Sequence, residues 1–190
     1  MTEKELVELF KERGALLEGH FRLTSGLHSN RYVQCARVLM YPDLAAELGK
    51  EIADKFSHLD LDLVVGPAIG GIVLAQEVGR ALGVRAIFSE REEGKMTLRR
   101  GFEIKKGERV LVVEDVVTTG GSTKEVINMV EGYGGVVVGV GSLVDRHRGE
   151  LDFGVPFHPL LKLDIETYAP DDCPLCREGI PVVKPGSRKE

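Results

Sequence analysis

The sequence predicts an α/β fold in which a mainly parallel sheet is flanked by helices. Four short, mostly apolar runs lack strict alternation, which is typical of strands buried on both faces of a sheet. Helical patterns alternate with these runs, as in β–α–β units. The runs occupy residues 61–65, 84–88, 109–113 and 136–141, and the helical patterns occupy residues 71–82 and 122–133. With 190 residues, of which 43% are hydrophobic and 29% charged, the chain is long enough for one domain with a substantial core.

The segments outside this alternating part follow another rhythm. Apolar residues at 6, 7, 9 and 10 form one face of a helix that ends at Gly14. Residues 15–41 are expected to form short strands around a polar turn, and a helix begins at Pro42. We therefore expect a single domain, residues 1–190, with its core at about 42–150 and a small hood subdomain built from about 1–41 and 151–190.

Charge and composition argue against two classes of function. The 25 basic and 30 acidic side chains leave a net charge of −5, aromatic residues make up 6% of the chain, and tryptophan is absent. A general nucleic-acid binder needs a basic surface and stacking side chains, so no nucleic-acid partner is expected. The longest uncharged stretch in the middle of the chain, residues 63–76, is too short to span a membrane, and residues 1–13 contain no apolar signal segment. We expect a soluble, cytoplasmic protein with no membrane partner.

The most informative segment runs from residue 110 to residue 123. An apolar strand leads directly into Glu114 and Asp115, and small residues at 118–122 then open a helix. Open α/β sheets bind ligands at the carboxyl ends of their strands, and a helix N-terminus among small residues binds anions, so residues 118–122 are expected to hold a phosphate. The two carboxylates repel phosphate but suit sugar hydroxyls or Mg²⁺. The segment therefore predicts a site for a ribose 5-phosphate.

Two other phosphate-binding motifs do not fit this turn. A Walker A loop needs Gly-Lys-Ser/Thr after its glycines, whereas Ser122-Thr123-Lys124-Glu125 stands here, and a Gly-x-Gly-x-x-Gly opening is also absent. The structural alternative is an ordinary strand–helix loop in which Asp and Thr residues cap the helix. Two adjacent acids followed by five small residues favour the ligand site.

This segment resembles the phosphoribosyl diphosphate (PRPP) signature of the type I phosphoribosyltransferases, which implies the fold of that family. Within the family the chain is most similar, over nearly its whole length, to the enzymes that act on orotate. Residues 21–33 resemble their hood segment, 66–71 their pyrophosphate loop, 88–100 their mobile-loop region, and 143–146 a strand with an orotate-binding Arg. The chain resembles a divergent subgroup: Thr24 and Gly70 stand where a familiar pattern has Lys, and the loop at 90–100 is shorter and lacks a His.

The resemblance implies a role for each matching residue. Glu114 and Asp115 would bind the ribose hydroxyls, directly or around Mg²⁺. The 5-phosphate would be bound by Thr118, Thr119, Gly120, Gly121 and Ser122, and the pyrophosphate by backbone N–H groups of Ala68, Ile69 and Gly70. Orotate would contact Thr118, Arg146, Tyr32 and Val33. Arg91 and Lys95 would reach the pyrophosphate from the neighbouring subunit of a homodimer, and with Asp115 they are the expected catalytic residues.

The implied reaction transfers the phosphoribosyl group from PRPP to orotate, with Mg²⁺ as cofactor, giving orotidine 5′-monophosphate and pyrophosphate in pyrimidine (UMP) biosynthesis. Because orotate is an anion, the guanidinium of Arg146 also suits it on physical grounds. One alternative is a purine-type phosphoribosyltransferase, which would need an uncharged base pocket. A less favoured alternative is a nucleotide-sensing regulator of RNA on the same fold, which would need a basic face.

The segment Cys173-Pro174-Leu175-Cys176 resembles half of a zinc site, and a structural zinc ion needs four ligands. Cys35, His147 and His158 are the candidate partners, none at convincing spacing, and a second copy of the motif from another subunit is a further option. We favour a pair of free thiols in a tight turn. The five histidines are scattered, and each is expected to be a surface or turn residue.

Overall fold

The computed structural model describes residues 1–23 and 25–185. Thr24 of the expected hood segment, and residues 186–190 at the end of the expected hood, lie outside the described residues. The elements, in chain order, are α1 (Glu3–Glu12), β1 (Leu16–Arg22), β2 (His28–Val33), α2 (Ala36–Leu39), α3 (Pro42–Phe56), β3 (Leu63–Pro67), α4 (Gly70–Leu82), β4 (Arg85–Glu92), β5 (Lys95–Thr97), β6 (Arg109–Val117), α5 (Gly121–Gly132), β7 (Val136–Asp145), β8 (Phe157–Lys162), β9 (Thr167–Tyr168), a 3₁₀ turn (Pro170–Asp172) and α6 (Pro174–Arg177).

Local sequence explains where the first helix begins. The Thr2 side chain accepts a hydrogen bond from the backbone N–H of Glu5, and the Glu5 carboxylate accepts one from the backbone N–H of Thr2. This reciprocal capping box satisfies two N–H groups that the first turn of a helix leaves free. Leu6 and Phe10 lie on the buried face of α1, as the apolar spacing predicts.

Six strands form the main sheet in the order β5-β4-β3-β6-β7-β8. Every neighbouring pair from β4 to β8 is parallel, and only β5 runs antiparallel to its neighbour. The prediction of a mainly parallel sheet flanked by helices is confirmed. The sheet continues beyond the expected core boundary at residue 150, because β8 pairs in parallel with β7.

The core lies on both faces of this sheet. On one face, Ile52 and Phe56 of α3 and Leu74 of α4 pack with the strand residue Leu111 in a single buried cluster. On the other face, Val126 and Val130 of α5 pack with neighbouring strand residues such as Val112. Because successive strand residues face opposite sides of the sheet, a strand with an uninterrupted apolar run, such as β6, is buried on both faces.

A smaller antiparallel sheet, in the order β1-β2-β9, makes up the hood. Leu16 pairs with Val33, and His28 pairs with Tyr168. A bridge between Phe21 of β1 and Val183 adds the C-terminal segment at the edge of this sheet opposite β9. The two ends of the chain are thus joined in one layer, over the carboxyl ends of the main strands.

The segment at 90–100, expected to be a loop, is largely a β-hairpin. Strand β4 continues to Glu92, and Arg91 pairs with Met96 across to β5. The turn consists of Glu93 and Gly94, both with positive φ (48° and 82°). Two central residues with positive φ are the requirement of a tight hairpin turn whose twist matches the strands, and Gly94 is the residue type that adopts it readily. The many charged residues of this segment led to the prediction of a loop instead of a hairpin.

In the part of the chain that the structure describes, no helix is both long enough and apolar enough to cross a membrane.

Candidate active site

The predicted site residues converge because three parallel strands end at the same edge of the sheet. In the register, Val65 of β3 lies beside Val112 of β6, and Val117 of β6 lies beside Asp145 of β7. The loops that follow these strands therefore open at one place. Carboxyl ends of parallel strands are where such sheets bind ligands.

The loop after β6 forms a small pocket at the start of α5. Gly120 has a φ of +75°, and a Cβ at this position would lie 3.0 Å from the Phe153 ring, so both the conformation and the space favour glycine. The first N–H groups of α5 have no partner within the helix and point out of its N-terminus. The pocket has a volume of about 60 Å³. Its lining residues are Glu114, Val116, Val117, Thr118, Thr119, Gly120, Gly121, Ser122 and Thr123.

The two adjacent carboxyl groups lie immediately beside this pocket. Glu114 is only 8% exposed, and the Thr123 hydroxyl donates a hydrogen bond of 3.3 Å to its Oε2. Burial, reinforced by the neighbouring Asp115 carboxylate, raises the pKa of Glu114 from 4.5 to about 8. Burial also raises the pKa of Asp115. Among the described residues, neither carboxyl group forms an ion pair with a Lys or Arg side chain.

The loop after β3 approaches Asp115 closely. A cis peptide bond joins Ala68 to Ile69, and the Ala68 N–H donates to the Ser89 carbonyl. Helix α4 then begins at Gly70. A Cβ on Gly70 would lie 2.3 Å from Oδ2 of Asp115, so the bare Cα allows the helix N-terminus to sit against the carboxylate. The loop and the acidic pair therefore form one continuous surface.

A larger pocket of about 530 Å³ opens next to the small one. It brings together all four residues expected to contact the base: Tyr32, Val33, Thr118 and Arg146. Of the other lining residues, Thr119 was expected at the phosphate, and sequence reasoning assigned no role to Leu23, Ser25, Leu27, Val116, His147, Arg148, Ile165 and Thr167. Leu23, Ser25 and Leu27 lie in the expected hood segment, whereas no local motif marks Ile165 and Thr167.

Two arginines line this larger pocket; Arg148 forms an ion pair of 3.0 Å with Asp164, whereas Arg146 is partly buried. Its Nε is buried and has no hydrogen-bond partner among the described residues, and burial lowers the pKa of its guanidinium. Tyr32 lies nearby: burial raises the pKa of its hydroxyl, with the Arg146 charge acting in the opposite direction. A buried guanidinium nitrogen without a partner is unfavourable unless a ligand completes its hydrogen bonds.

Cys35 lies beneath the site rather than in a metal cluster. Its thiol is buried and donates to the Asp115 backbone carbonyl at 3.6 Å. Burial and the Asp115 charge both raise the pKa of this thiol. Cys35 therefore packs against the strand that carries the acidic pair.

The basic residues of the hairpin formed by β4 and β5 are partly occupied within the chain. Arg91 forms an ion pair of 2.7 Å with Glu125 of α5 and donates to the Gly94 carbonyl. Arg100 pairs with Glu90 at 2.7 Å. Lys95 is exposed at the start of β5. The hairpin thus lies against the helix whose N-terminus forms the small pocket.

The expectations for the cysteine pair and for two histidines were wrong in their details. None of Cys35, His147 and His158 lies with Cys173 and Cys176: Cys35 is beside Asp115, His147 lines the larger pocket, and the His158 ring lies 5.3 Å from that of Phe56. His20 and His28, expected at the surface or in a turn, are buried at 3% and 7% exposure and adjoin the cysteine pair. Residues 20 and 28 lie far from 173 and 176 in the chain, so spacing does not reveal this grouping.

The fold and these loops define a phosphoribosyltransferase. The family model described as "Phosphoribosyl transferase domain" matches residues 41–153. The orotate phosphoribosyltransferase of Caldanaerobacter subterraneus subsp. tengcongensis is 58% identical over 189 residues, covering 100% of both chains. That of Carboxydothermus hydrogenoformans is 60% identical over 187 residues, covering 97% of this chain and 98% of the relative.

A solved structure agrees with these relatives. The Mycobacterium tuberculosis H37Rv orotate phosphoribosyltransferase in complex with PRPP superposes with a TM-score of 0.66 at 30% identity, over 85% of this chain and 96% of that chain. The chain belongs to the orotate phosphoribosyltransferase family.

Proposed function

We propose that this protein transfers the phosphoribosyl group of PRPP to orotate and releases pyrophosphate, a step of pyrimidine biosynthesis carried out in the cytoplasm. The observation that carries the proposal is the junction of the two pockets. Val116, Thr118 and Thr119 line both of them, so that a phosphate in the small pocket and a base in the larger one would be joined by a ribose beside the acidic pair.

The 5-phosphate binds at the N-terminus of α5, where free N–H groups and the hydroxyls of Thr118, Thr119 and Ser122 surround the small pocket. The ribose hydroxyls bind to Glu114 and Asp115. At neutral pH a carboxyl group with a pKa of about 8 is mostly protonated, so Glu114 can donate a hydrogen bond to one hydroxyl while Asp115 accepts from another.

The acidic pair also fits a magnesium ion brought in by PRPP. Neither carboxyl group has a cationic partner among the described residues, and hard oxygen ligands are those that Mg²⁺ prefers. Such an ion would spread the negative charge that develops on the departing pyrophosphate. Within the chain, Asp115 is the group best placed to hold it, because its pKa is less strongly raised than that of Glu114 and its carboxylate faces the start of α4.

The pyrophosphate lies along residues 68–70, at the start of α4. The N–H groups of Ile69 and Gly70 bind it, whereas the Ala68 N–H, also expected to do so, already donates to the Ser89 carbonyl. Arg91 and Lys95 supply further positive charge to the leaving group, from the hairpin of the partner subunit in a homodimer. In this arrangement Arg91 exchanges the Glu125 carboxylate for a phosphate oxygen. Because the Arg91–Glu125 ion pair is exposed, breaking it costs little free energy.

Orotate occupies the larger pocket, with its carboxylate on Arg146 and its ring between Tyr32, Val33 and Thr118. The buried Nε of Arg146 then gains the hydrogen bond that it lacks among the described residues. A neutral purine base has no carboxylate to pair with Arg146, so the buried Nε would stay without a hydrogen bond. Such a group weakens binding strongly, which favours orotate over the purines.

The reaction itself needs positioning more than covalent help. A ring nitrogen of orotate attacks the anomeric carbon, a C–N bond forms, and the C–O bond to pyrophosphate breaks, with its electron pair leaving on the pyrophosphate oxygen. The proton of that ring nitrogen is released to the solvent. The anchored 5-phosphate and the base pocket align the two reacting atoms. The cationic groups around the leaving group stabilise its growing charge.

One assay tests the proposed function. The purified protein is mixed with PRPP and either orotate, adenine, guanine or hypoxanthine, with and without Mg²⁺, and pyrophosphate release is measured. We expect Mg²⁺-dependent release with orotate and at least about a hundredfold less with each purine, as expected for a site that hydrogen-bonds its substrate. Release with a purine at a comparable rate would overturn the assignment of the base, and no release with any base would overturn the assignment of an enzyme.

A further inference from the structure

Four potential metal ligands meet in the hood, and none of them lines the pockets described above. His20 and His28, of β1 and β2, face Cys173 and Cys176 at the start and end of a short C-terminal turn. One ligand atom from each residue lies within 4.8 Å of the other three. His20, His28 and Cys173 are buried, so this grouping is not an accident of a crowded surface.

The distances between the ligand atoms are near those of a tetrahedral site. His20 Nε2 is 2.9 Å from His28 Nδ1, 3.6 Å from Cys173 Sγ and 3.8 Å from Cys176 Sγ, and Cys176 Sγ is 3.3 Å from His28 Nδ1. Zinc bonds of about 2.0–2.3 Å in a tetrahedron place neighbouring ligand atoms about 3.3–3.8 Å apart. Three of these four distances lie within that range, and to surround an ion the two histidine nitrogens would move apart and any pair near the 4.8 Å limit would move together by about 1 Å.

Hydrogen bonding already orients one of the ligands. His20 Nδ1 lies 2.7 Å from the Ile180 carbonyl and donates its proton there, so the lone pair of Nε2 faces the cluster, where it accepts from His28 Nδ1 at 2.9 Å. A histidine that binds a metal usually donates its other ring N–H to a carbonyl or carboxylate in this way. The Ile180 carbonyl thus acts as the outer support of a metal ligand.

We propose that His20 Nε2, His28 Nδ1, Cys173 Sγ and Cys176 Sγ bind a structural zinc ion. Two thiolates and two imidazoles form the Cys₂His₂ set that selects zinc, and four protein ligands leave no position open for a substrate. This proposal replaces the expectation of free thiols. It is independent of the proposed reaction, since none of the four residues lines either pocket of the candidate active site.

The zinc ion would fasten the two ends of the chain to each other. Cys176 and His20 are 156 residues apart in the sequence. Around the cluster, these segments are also joined by hydrogen bonds, such as Arg22 N–H to the Val183 carbonyl, Val183 N–H to the His20 carbonyl and Ser29 Oγ to the Glu166 carbonyl. The hairpin turn between the two histidines carries Leu23, Ser25 and Leu27, which line the larger pocket. The metal would therefore hold one wall of the base site in position.

The first experiment measures metal content directly. The full-length protein, without an affinity tag that binds metal, is purified from cells grown without added zinc and analysed by inductively coupled plasma mass spectrometry. We expect about one zinc per chain in the wild type and less than a tenth of that in Cys173→Ser and Cys176→Ser. Cys35→Ser and His158→Gln serve as matched controls from outside the cluster, and both are expected to keep the zinc.

A second measurement does not depend on variants that fold poorly. The wild-type metal is exchanged for Co²⁺, and the absorption spectrum is recorded. Intense visible bands together with a thiolate-to-cobalt charge-transfer band are expected for a tetrahedral site with two sulfur ligands. A wild-type protein that contains no zinc and gives only the weak spectrum of octahedral cobalt would overturn the proposal, as would zinc that persists in both cysteine variants.

Discussion

The Cα of Gly70 and the carboxylate of Asp115 are in direct contact across the gap between β3 and β6. A Cβ on residue 70 would lie 2.3 Å from Oδ2 and 2.5 Å from Oδ1 of Asp115. Glycine at this position therefore does more than let the loop turn: it lets the N-terminus of α4 and the acidic pair share one binding surface. A longer residue at 70, such as the Lys of the familiar family pattern, would require a different arrangement of Asp115.

Gly70→Ala should weaken the use of PRPP strongly. The added methyl group forces the Asp115 carboxylate to rotate away from its position, and charge-assisted hydrogen bonds are worth about 1.5–3 kcal/mol, so kcat/KM for PRPP should fall by about ten- to a hundredfold. Steady-state kinetics with varied PRPP measures this. Gly132→Ala is the matched control, since a Cβ there meets no heavy atom within 4 Å, and its kinetics should equal those of the wild type. Equal effects of the two variants would show that the contact with Asp115 does not matter.

The raised pKa of Glu114 predicts how the stability of the ligand-free protein depends on pH. In the folded protein the Glu114 carboxyl group keeps its proton until the pH approaches its pKa of about 8, whereas in the unfolded chain it loses the proton near pH 4.5. The stabilisation is therefore complete below about pH 4.5 and is lost as the pH rises through about 8, at up to about 1.4 kcal/mol per pH unit. The free energy of unfolding of the wild type should fall relative to that of Glu114→Gln over this range.

Denaturant unfolding of both proteins at a series of pH values, without PRPP or Mg²⁺, measures the difference. Gln keeps an oxygen that can accept the Thr123 hydrogen bond but cannot ionise, so it isolates the titration of Glu114. Curves that run parallel for the two proteins between pH 5 and 8 would contradict the raised pKa.

Arg146→Lys should impair the binding of orotate far more than that of PRPP. Lys keeps a positive charge but loses the planar pair of donors and the Nε that is buried without a partner in the described part of the chain. We expect the Kd for orotate to rise by about ten- to a hundredfold, with the Kd for PRPP changed by less than about threefold. Calorimetry with each ligand separates the two. Arg80→Lys, which alters an exposed pair with Glu77, is the control; an equal loss for both ligands would mean that Arg146 supports the sheet instead of the base.

Two inactive variants should complement each other if the hairpin acts in the partner's site. Asp115→Asn removes the Asp115 carboxylate from the acidic pair, and Arg91→Ala with Lys95→Ala removes two basic residues of the hairpin. In a mixed dimer, one of the two sites combines an intact acidic pair with an intact hairpin. Random exchange makes about half of the dimers mixed, so activity should recover to about a quarter of the wild type. Mixtures that stay inactive, although exchange of subunits is shown by mass spectrometry, would place the hairpin in its own subunit's site.

Much of the fold and the phosphate site could be predicted because their signals are local. The strand, the two acids and the small-residue turn lie within 14 consecutive residues, 110–123, and the structure keeps them together as β6, the loop and α5. The carboxyl ends of parallel strands meet at one edge of the sheet, however long the segments between the strands are. Arg146 follows such a strand end, so it could also be placed near this site. The hairpin at 90–97 was not predicted, although its turn residues Glu93 and Gly94 are also neighbours in the chain. The many charged residues of this segment led to its interpretation as a loop.

By itself, the sequence determined the class of fold, the position of the acidic pair and the anion-binding turn, since each depends on residues that are neighbours in the chain. Only the tertiary structure decided that Gly70 touches Asp115, that the hood closes the base pocket, and that His20 and His28 meet Cys173 and Cys176. The physical reason is that these contacts join segments separated by tens to more than a hundred residues, and their geometry is set by packing and strand register, which no periodicity along the chain records.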